Sequence, residues 1–530
     1  MSGAAAAPAK AVEWKPKGNP WLIAVVVTVA AFMEVLDTTI VNVSLPHIAG
    51  SLSSSYDDAT WALTSYLVAN GIVLTISGWL SDVFGRKRYF MICILMFTVF
   101  SLLCGFAQTL PQLIMFRLAQ GFFGGGLQPN QQSIILDTFE PNRRGQAMAV
   151  VAIATIVAPV IGPTLGGYIT DNFSWRWVFF LNVPIGIGGL FGVAALVEDP
   201  PWVKERRSQG VDYIGIALIT LGLGSLQVAM DRGEDADWLS SGFIRVMLLL
   251  AFLGIAGAIG WLLTTAKPVL NIRVLANRNF ALGVIMIGAM AFVLYSSAVI
   301  VPQFAQQVIG YTATDAGLIL SPGGVVVIML IPFVTRALPY VPTRYLIATG
   351  FAILGCSLIY SSILVPDVSF KHLASIRAAQ TAGLAFLFVP ISTIAYSTVP
   401  REMNGDAAAL YTMFRNVFGS IGISTATALL TTRTQTHEAY MAYWMTPSNP
   451  AYNTLLQHNR AAVIAMGQAP ATATGTATGL IYQTFLKQAE VLAYSDVFRI
   501  CAVAAFCLVP VAMMFTNYKP RPGAAAPAAH

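Results

Sequence analysis

The sequence predicts an all-α polytopic membrane protein of about fourteen spans, and three observations carry that prediction. The chain is 56% apolar and only 10% charged over 530 residues, with a mean hydropathy of +0.68; it is too apolar for a soluble domain and too long for a single span. Apolar runs of helical length recur from end to end. Basic residues gather in every second connection, the pattern of loops held on the cytoplasmic side.

The first span, 21–45, carries Glu34 and Asp37 near its middle. Three apart, the acids share a helix face that Val41 and Ser44 continue, while Thr38 and Asn42 extend a polar stripe from Glu34. An ionised group at that depth is expensive unless it faces a wet, protein-lined interior. The pair is therefore read as a functional site turned to a central cavity; the alternative is two solvated acids near a helix end. Further spans are expected at 61–84, 89–107, 112–138, 147–170, 178–197, 213–229, 242–265, 280–302, 316–335, 345–364, 375–397, 406–430 and 497–516.

Loop charge then orients the chain. Lys10, Lys15 and Lys17 precede the first span; Arg86, Lys87 and Arg88 follow the second, Arg143 and Arg144 the fourth, and Lys204, Arg206 and Arg207 the sixth. Lys267, Arg273, Arg278, Arg336, Arg344, Arg401, Lys519 and Arg521 fall on the same side, whereas Asp57, Asp58 and the acidic stretch 231–238 fall opposite. Both termini are expected in the cytoplasm. The net charge of +6 is orientation information, not a nucleic-acid footprint. With no cleavable signal apparent, the first span is expected to act as its own anchor. The polar segment 431–495 resists this scheme. It is read as a long outer loop with a helical pattern at Leu480, Phe485, Leu486, Ala489 and Leu492, serving either as a cap over the outer mouth or as a docking surface.

Other chemistries are disfavoured. No Gly-Lys pair occurs, hence no P-loop. The five histidines are scattered over different loops and ends, and the five cysteines lie in apolar stretches without metal or disulfide spacing. No enzyme activity, cofactor or metal is expected.

Three motifs stand at helix junctions or inside spans. In 78–88, GWLSDVFGRKR, Gly85 permits a tight turn, Asp82 can cap a helix or pair with a base, and Arg86 helps hold the loop inside. In 113–126, LIMFRLAQGFFGGG, Arg117 lies within the span and needs an acid partner or a cavity. In 158–167, APVIGPTLGG, Gly162, Gly166 and Gly167 admit a neighbouring helix, and Pro163 removes a backbone bond.

The first motif resembles the loop motif GxLaDrxGRkxx of the major facilitator superfamily, departing at Val83, where the family usually has a basic residue. The second resembles that family's fourth-helix motif through Arg117, Gln120, Gly121 and Gly125. The third resembles the fifth-helix motif gxxxGPxxGG of proton-exchanging exporters, with Ala158 replacing the first glycine. Stretches 36–46 and 175–186 resemble signatures of the fourteen-helix drug:proton antiporter family. Stretches 224–238, 310–317 and 415–422 look like its EmrB-type multidrug exporters of Gram-negative inner membranes, and the likeness covers about 21–515.

That resemblance implies the major facilitator fold: a tail 1–20, a six-helix bundle 21–200, two extra spans and linkers 201–275, a second bundle 276–517 and a tail 518–530. It implies a multi-pass inner-membrane protein that exports hydrophobic or amphipathic drugs, uncouplers or fatty acids in exchange for protons. The alternative is a proton symporter importing a small organic solute. Implied partners are the lipid bilayer, small hydrophobic substrates, a periplasmic membrane-fusion adaptor and an outer-membrane channel. Glu34 or Asp37 would pair with Arg117 as the coupling device. Cavity candidates are Asn42, Gln120, Gln128, Asn130, Tyr295, Tyr411 and Arg415, although periodicity alone does not separate lining from packing. Arg415 is read as a cavity residue, as one snorkelling to the inner surface, or as a partner of Asp406. Asp137 is read as a solvated or capping acid, and Asp231 and Asp315 as caps or entry-side charges.

Overall fold

The computed structural model describes residues 16–140, 143–200, 211–365 and 368–516. The expected tail 518–530, most of tail 1–20, and Lys10, Lys15, Lys204, Arg206, Arg207, Lys519 and Arg521 lie outside the described residues, as do the side chains of Asp57 and Arg401.

Local chemistry sets the helix boundaries. Helix α1 (Pro20–Ser51) starts at Asn19, whose side chain accepts from the Trp21 N–H. Ser55 caps α2 (Tyr56–Phe84) in the same way. That helix stops at Gly85, whose φ of +88° lets α3 (Arg86–Phe106) begin at once in a new direction. Thr109 caps α4 (Leu110–Gly124), and the Gly125–Gly126 pair separates it from α5 (Leu127–Thr138). Helix α6 (Arg144–Asn172) contains Pro159 and Pro163. The short α7 (Trp177–Phe180) is broken from α8 (Asn182–Leu196) because Pro184 has no N–H for the Phe180 carbonyl. Helices α9 (Tyr213–Arg232) and α10 (Gly242–Thr264) form a hairpin whose backbones touch at Gly222 and Gly254. There follow α11 (Arg278–Phe304), α12 (Ala313–Ala337), α13 (Thr343–Ser361), α14 (Phe370–Ala395), α15 (Asn404–Ala442), α16 (Pro450–Ala465) and α17 (Pro470–Ala512).

Two bundles result. In the first, α1 packs on α6 and α8, and α4 on α2 and α3; in the second, α11 packs on α15, α14 on α12 and α13, and α17 on α13 and α15. They meet along α6 with α12 and α2 with α15, and the α9–α10 hairpin rests on α2. Asp231 is neither a cap nor a free entry-side charge: it accepts from the Thr64 hydroxyl and so fastens the hairpin to α2. Asp315 does sit in a cap, bonded to Thr312 at 2.7 Å.

Among the described residues, 12 helices are long and apolar enough to cross a membrane. The expected number near fourteen rests also on the α4–α5 pair, whose helices of 15 and 12 residues are each too short, and on the more polar α15; α5 opens LQPNQQS, and its glutamines belong to the site below.

The expected outer loop 431–495 is mostly helix. Helix α15 runs on to Ala442, Asn449 caps α16, and α17 continues unbroken from Pro470 into the last span. The glycines and threonines of 471–479 occupy exposed positions, while Val463, Ala473 and Ala477 are buried where α16 packs on α17. Alanine-rich sequence keeps its helical propensity once one face is covered.

Candidate functional site

Glu34 and Asp37 share a face of α1 yet face different partners. Asp37 is fully buried and saturated: one oxygen accepts from Arg117 Nη1 at 2.6 Å, the other from Asn182 Nδ2 at 2.8 Å and Gln120 Nε2 at 3.1 Å. Arg117 and Gln120 stand three apart on α4, so one helix face delivers both. The same Arg117 nitrogen also donates to Gln120 Oε1 at 2.9 Å, and Nε to the Ala62 carbonyl at 3.2 Å. The guanidinium carbon lies 4.1 Å from the Tyr66 ring centroid, a cation–π contact. Asn182, just past the α7–α8 break, reaches Asp37, and Ser101 accepts from Asn182 Nδ2 while donating to the Phe179 carbonyl. Of the two acids offered by the sequence, Asp37 is the partner of Arg117.

Glu34 makes a bridge instead. Its carboxylate accepts from Asn70 Nδ2 at 2.9 Å and from Gln128 Nε2, and Gln128 Oε1 accepts from Arg415 of α15. Arg415 thus reaches out of the second bundle to a glutamine held by a carboxylate of the first. It is buried, so it neither snorkels nor pairs with Asp406, whose carboxylate takes the Asn271 N–H at 3.4 Å. The two acids divide the work by geometry, Asp37 within one bundle and Glu34 between bundles.

The remaining candidates separate by position. Tyr411 is core: its ring packs 5.2 Å from that of Tyr396, whose hydroxyl donates to Gln132. Tyr295 is half-buried against Gly419. Asn130 is buried beside these residues on α5, and Asn42, two turns along α1 from Glu34, is exposed.

At the basic end the bundles are joined. Arg86 pairs with Asp137, and Asn404 of α15 donates to Asp137 at 2.9 Å. Asp137 is therefore neither solvated nor a cap; an arginine released by the Gly85 turn and an asparagine from the other bundle bury it. A Cβ on Gly78 would stand 3.1 Å from the Gly405 carbonyl, so α2 and α15 touch backbone to backbone. Asp82 sits half-buried one turn before Gly85. On α6, a Cβ at Gly162 would meet Thr39, and one at Gly166 would lie 2.8 Å from the Ile40 carbonyl. Gly167 is buried nearby, and Ser44 bonds Thr170 at 2.8 Å. The Gly-Pro-x-x-Gly-Gly stretch thus seats α6 on the helix that carries both acids.

Sequence reasoning missed Asn70, Asn404 and the role of Asn182, although Asn182 lay inside a quoted motif. It also missed Arg377 and Gln380, whose signal was available as a second Arg-x-x-Gln inside an apolar span, after Arg117 and Gln120.

Two helical bundles facing each other across buried, cross-linked charge define a membrane transport protein of the alternating-bundle class. The sequence profile of the Major Facilitator Superfamily matches residues 27–423, and the chain belongs to that superfamily, as an EmrB-type member. It is 35% identical over 483 residues to the multidrug export protein EmrB of Escherichia coli K12, covering 91% of this chain and 92% of that one. It is 31% identical over 488 residues to the fatty acid resistance protein FarB of Neisseria gonorrhoeae, covering 91% and 93%. The POT family transporter PepTSo superposes with a TM-score of 0.57 at 14% identity, over 94% of this chain and 100% of that one, and shares the fold.

Proposed function

We propose that this multi-pass inner-membrane transporter exports hydrophobic or amphipathic small molecules in exchange for protons, with both termini cytoplasmic. The observation that carries the reading is the fully buried Asp37–Arg117 pair. A guanidinium keeps its proton under all working conditions, so protonation of the carboxylate is what removes the attraction. A buried cation left with a neutral acid is costly, and the packing that accommodates it best is favoured. Glu34 extends the effect across the bundles. A proton there weakens its hold on Gln128, and through Gln128 its hold on Arg415. The Arg86–Asp137–Asn404 cluster and the Gly78–Gly405 contact close the basic end in this state.

The printed descriptions of the relatives, multidrug export and fatty acid resistance, support amphipathic cargo. Direction is supported by the likeness of the α6 stretch 158–167 to the motif of proton-exchanging exporters. The test is accumulation of a fluorescent amphipathic dye in expressing cells, with and without a collapsed proton gradient. Wild type is expected to lower dye content only while the gradient stands, and Asp37→Asn and Glu34→Gln to lose this at equal expression; dye content rising with expression would instead establish the importer.

The protein is further proposed to act as the permease of a tripartite system, its outer helices meeting a periplasmic adaptor that continues to an outer-membrane channel. Tyr440, Tyr443 and Trp444, 73%, 76% and 64% exposed at the far end of α15, supply the aromatic anchors such an interface uses.

A further inference from the structure

The α9–α10 hairpin is held by both bundles at once. Toward the first bundle, Asp231 accepts from the Thr64 hydroxyl of α2, and the guanidinium carbon of Arg232 lies 4.4 Å from the ring centroid of Trp61 on the same helix. Two turns back, Gly224 faces α2, where an added Cβ would stand 3.4 Å from Ile72 and 3.7 Å from Val68. Toward the second bundle, Gln227 Nε2 donates to Ser420 Oγ at 3.2 Å, and Ser424 Oγ donates to the Met230 carbonyl at 2.7 Å, both serines lying on α15. Residues 227, 230 and 231 thus stitch α2 to α15 within little more than one helical turn.

The stitch sits at a definite depth. Gly78 and Gly405 bring α2 and α15 into backbone contact at the basic end. Thr64 lies fourteen residues from Gly78, and Ser420 fifteen from Gly405, about 21 and 22 Å along their helices. This seam between the bundles is therefore closed directly at the basic end and through α9 further out. The other seam meets without a bridge at its outer end: a Cβ on Gly317 of α12 would lie 2.8 Å from the Thr164 nitrogen of α6.

The two attachments of α9 are unequal. A hydrogen bond to a carboxylate is roughly twice as strong as a neutral one, and on the α2 side the Arg232–Trp61 contact adds to it. On the α15 side stand two neutral bonds. Ser424 moreover takes a carbonyl in the last turn of α9, where helix carbonyls depend on partners outside the helix and water can replace a hydroxyl.

We propose that α9 is a clasp over the outer half of the α2–α15 seam, carried by the first bundle, and that parting of the bundles on the outer side releases Gln227 from Ser420 and Ser424 from Met230. Gln227, Ser420 and Ser424 are then positioning residues of the transport cycle: they set how readily the outer side opens. The clasp rests on the two-bundle architecture and applies whichever way the cargo moves.

The test locks one attachment at a time in the full-length protein in liposomes, in a background where the exposed Cys356 and Cys507 are replaced by alanine. Gln227→Cys with Ser420→Cys, and Thr64→Cys with Asp231→Cys, are closed with a short bifunctional thiosulfonate and reopened with reductant. Dye exchange at equal pH is followed throughout. Locking α9 to α15 is expected to slow exchange at least about tenfold, with recovery on reduction, and locking α9 to α2 to leave it within about twofold of the unlocked protein. Undiminished exchange with α9 locked to α15, equal loss from both locks, or loss that reductant does not reverse would overturn the clasp. Exchange before locking reports the transport reading alone. Should no unlocked protein move dye, spin-label distances in nanodiscs decide without cargo, using paired labels on Leu239→Cys of the hairpin tip, Gln108→Cys of the first bundle and Thr431→Cys of α15. Between acidic and alkaline pH, Leu239–Thr431 is expected to vary in step with Gln108–Thr431 while Leu239–Gln108 holds. A Leu239–Thr431 distance that holds, or a Gln108–Thr431 distance that never varies, contradicts the proposal.

Discussion

Two buried arginines stand at matched places in the two bundles, and only one has an acid. Arg117 is locked to Asp37 by an ion pair; Gln120 and Asn182 donate to the same carboxylate and the Tyr66 ring lies against the guanidinium. Arg377 rests on a serine hydroxyl and a glutamine. The same helix face, built from the same Arg-x-x-Gln spacing, therefore does different work in the two halves. On the proposed reading, the titratable partner is what makes the first half responsive to protons; the second half has no such group at this place. At the contact between halves, Glu34 of the first bundle reaches Arg415 of the second through Gln128.

Substitution sharpens this contrast most strongly at the arginines. Arg117→Met leaves Asp37 buried without its counter-charge and should cost about 3–5 kcal/mol, read as a fall in melting temperature of the detergent-purified protein. Arg377→Met leaves no charge behind and should stay within about 1 kcal/mol of wild type or gain stability; equal losses at the two sites would break the comparison. Next in size, Gly121→Ala presses a methyl group onto the Tyr66 backbone beneath the Asp37 site and should cost about 1–3 kcal/mol with reduced transport, whereas alanine at Gly188, which has open space around it, should not. Asn404→Ala removes one hydrogen bond of the basic-end seal. It should cost about 1 kcal/mol and raise the labelling of cysteines placed near Gly78 by cytoplasm-side thiol reagents. Smallest in stability is the double change Tyr443→Ser and Trp444→Ser, within about 0.5 kcal/mol. Transport by the protein alone should persist while capture of a co-expressed adaptor falls; undiminished capture would remove these aromatics from the interface.

Much of this was legible in the sequence because bilayers impose strict rules. The helical character of the spans and the glycines at 78, 85, 162 and 166 each reflect a local or one-dimensional constraint, and these glycines sit at the turn and close contacts expected of them. Acids inside an apolar run are so costly that Glu34 and Asp37 declared themselves. What stayed hidden depends on three-dimensional pairing. Choosing between Glu34 and Asp37 as the partner of Arg117 required the position of α4 against α1, since both acids lie on the same face. Asp137 was misjudged because burial by an arginine from another helix leaves no mark in its own neighbours. The outer segment was read as a loop because it is polar, while a packed partner helix decides the outcome. Arg377 was readable only by laying one half of the chain over the other.

The most direct measurement of the central claim uses the purified protein in liposomes, with dye movement followed after a pH jump and, separately, during dye exchange at equal pH. If Asp37 is the coupling acid, Asp37→Asn, a permanent likeness of its protonated form, abolishes pH-driven accumulation of dye while exchange at equal pH continues. Accumulation driven by the pH jump at wild-type rates in Asp37→Asn would contradict the account.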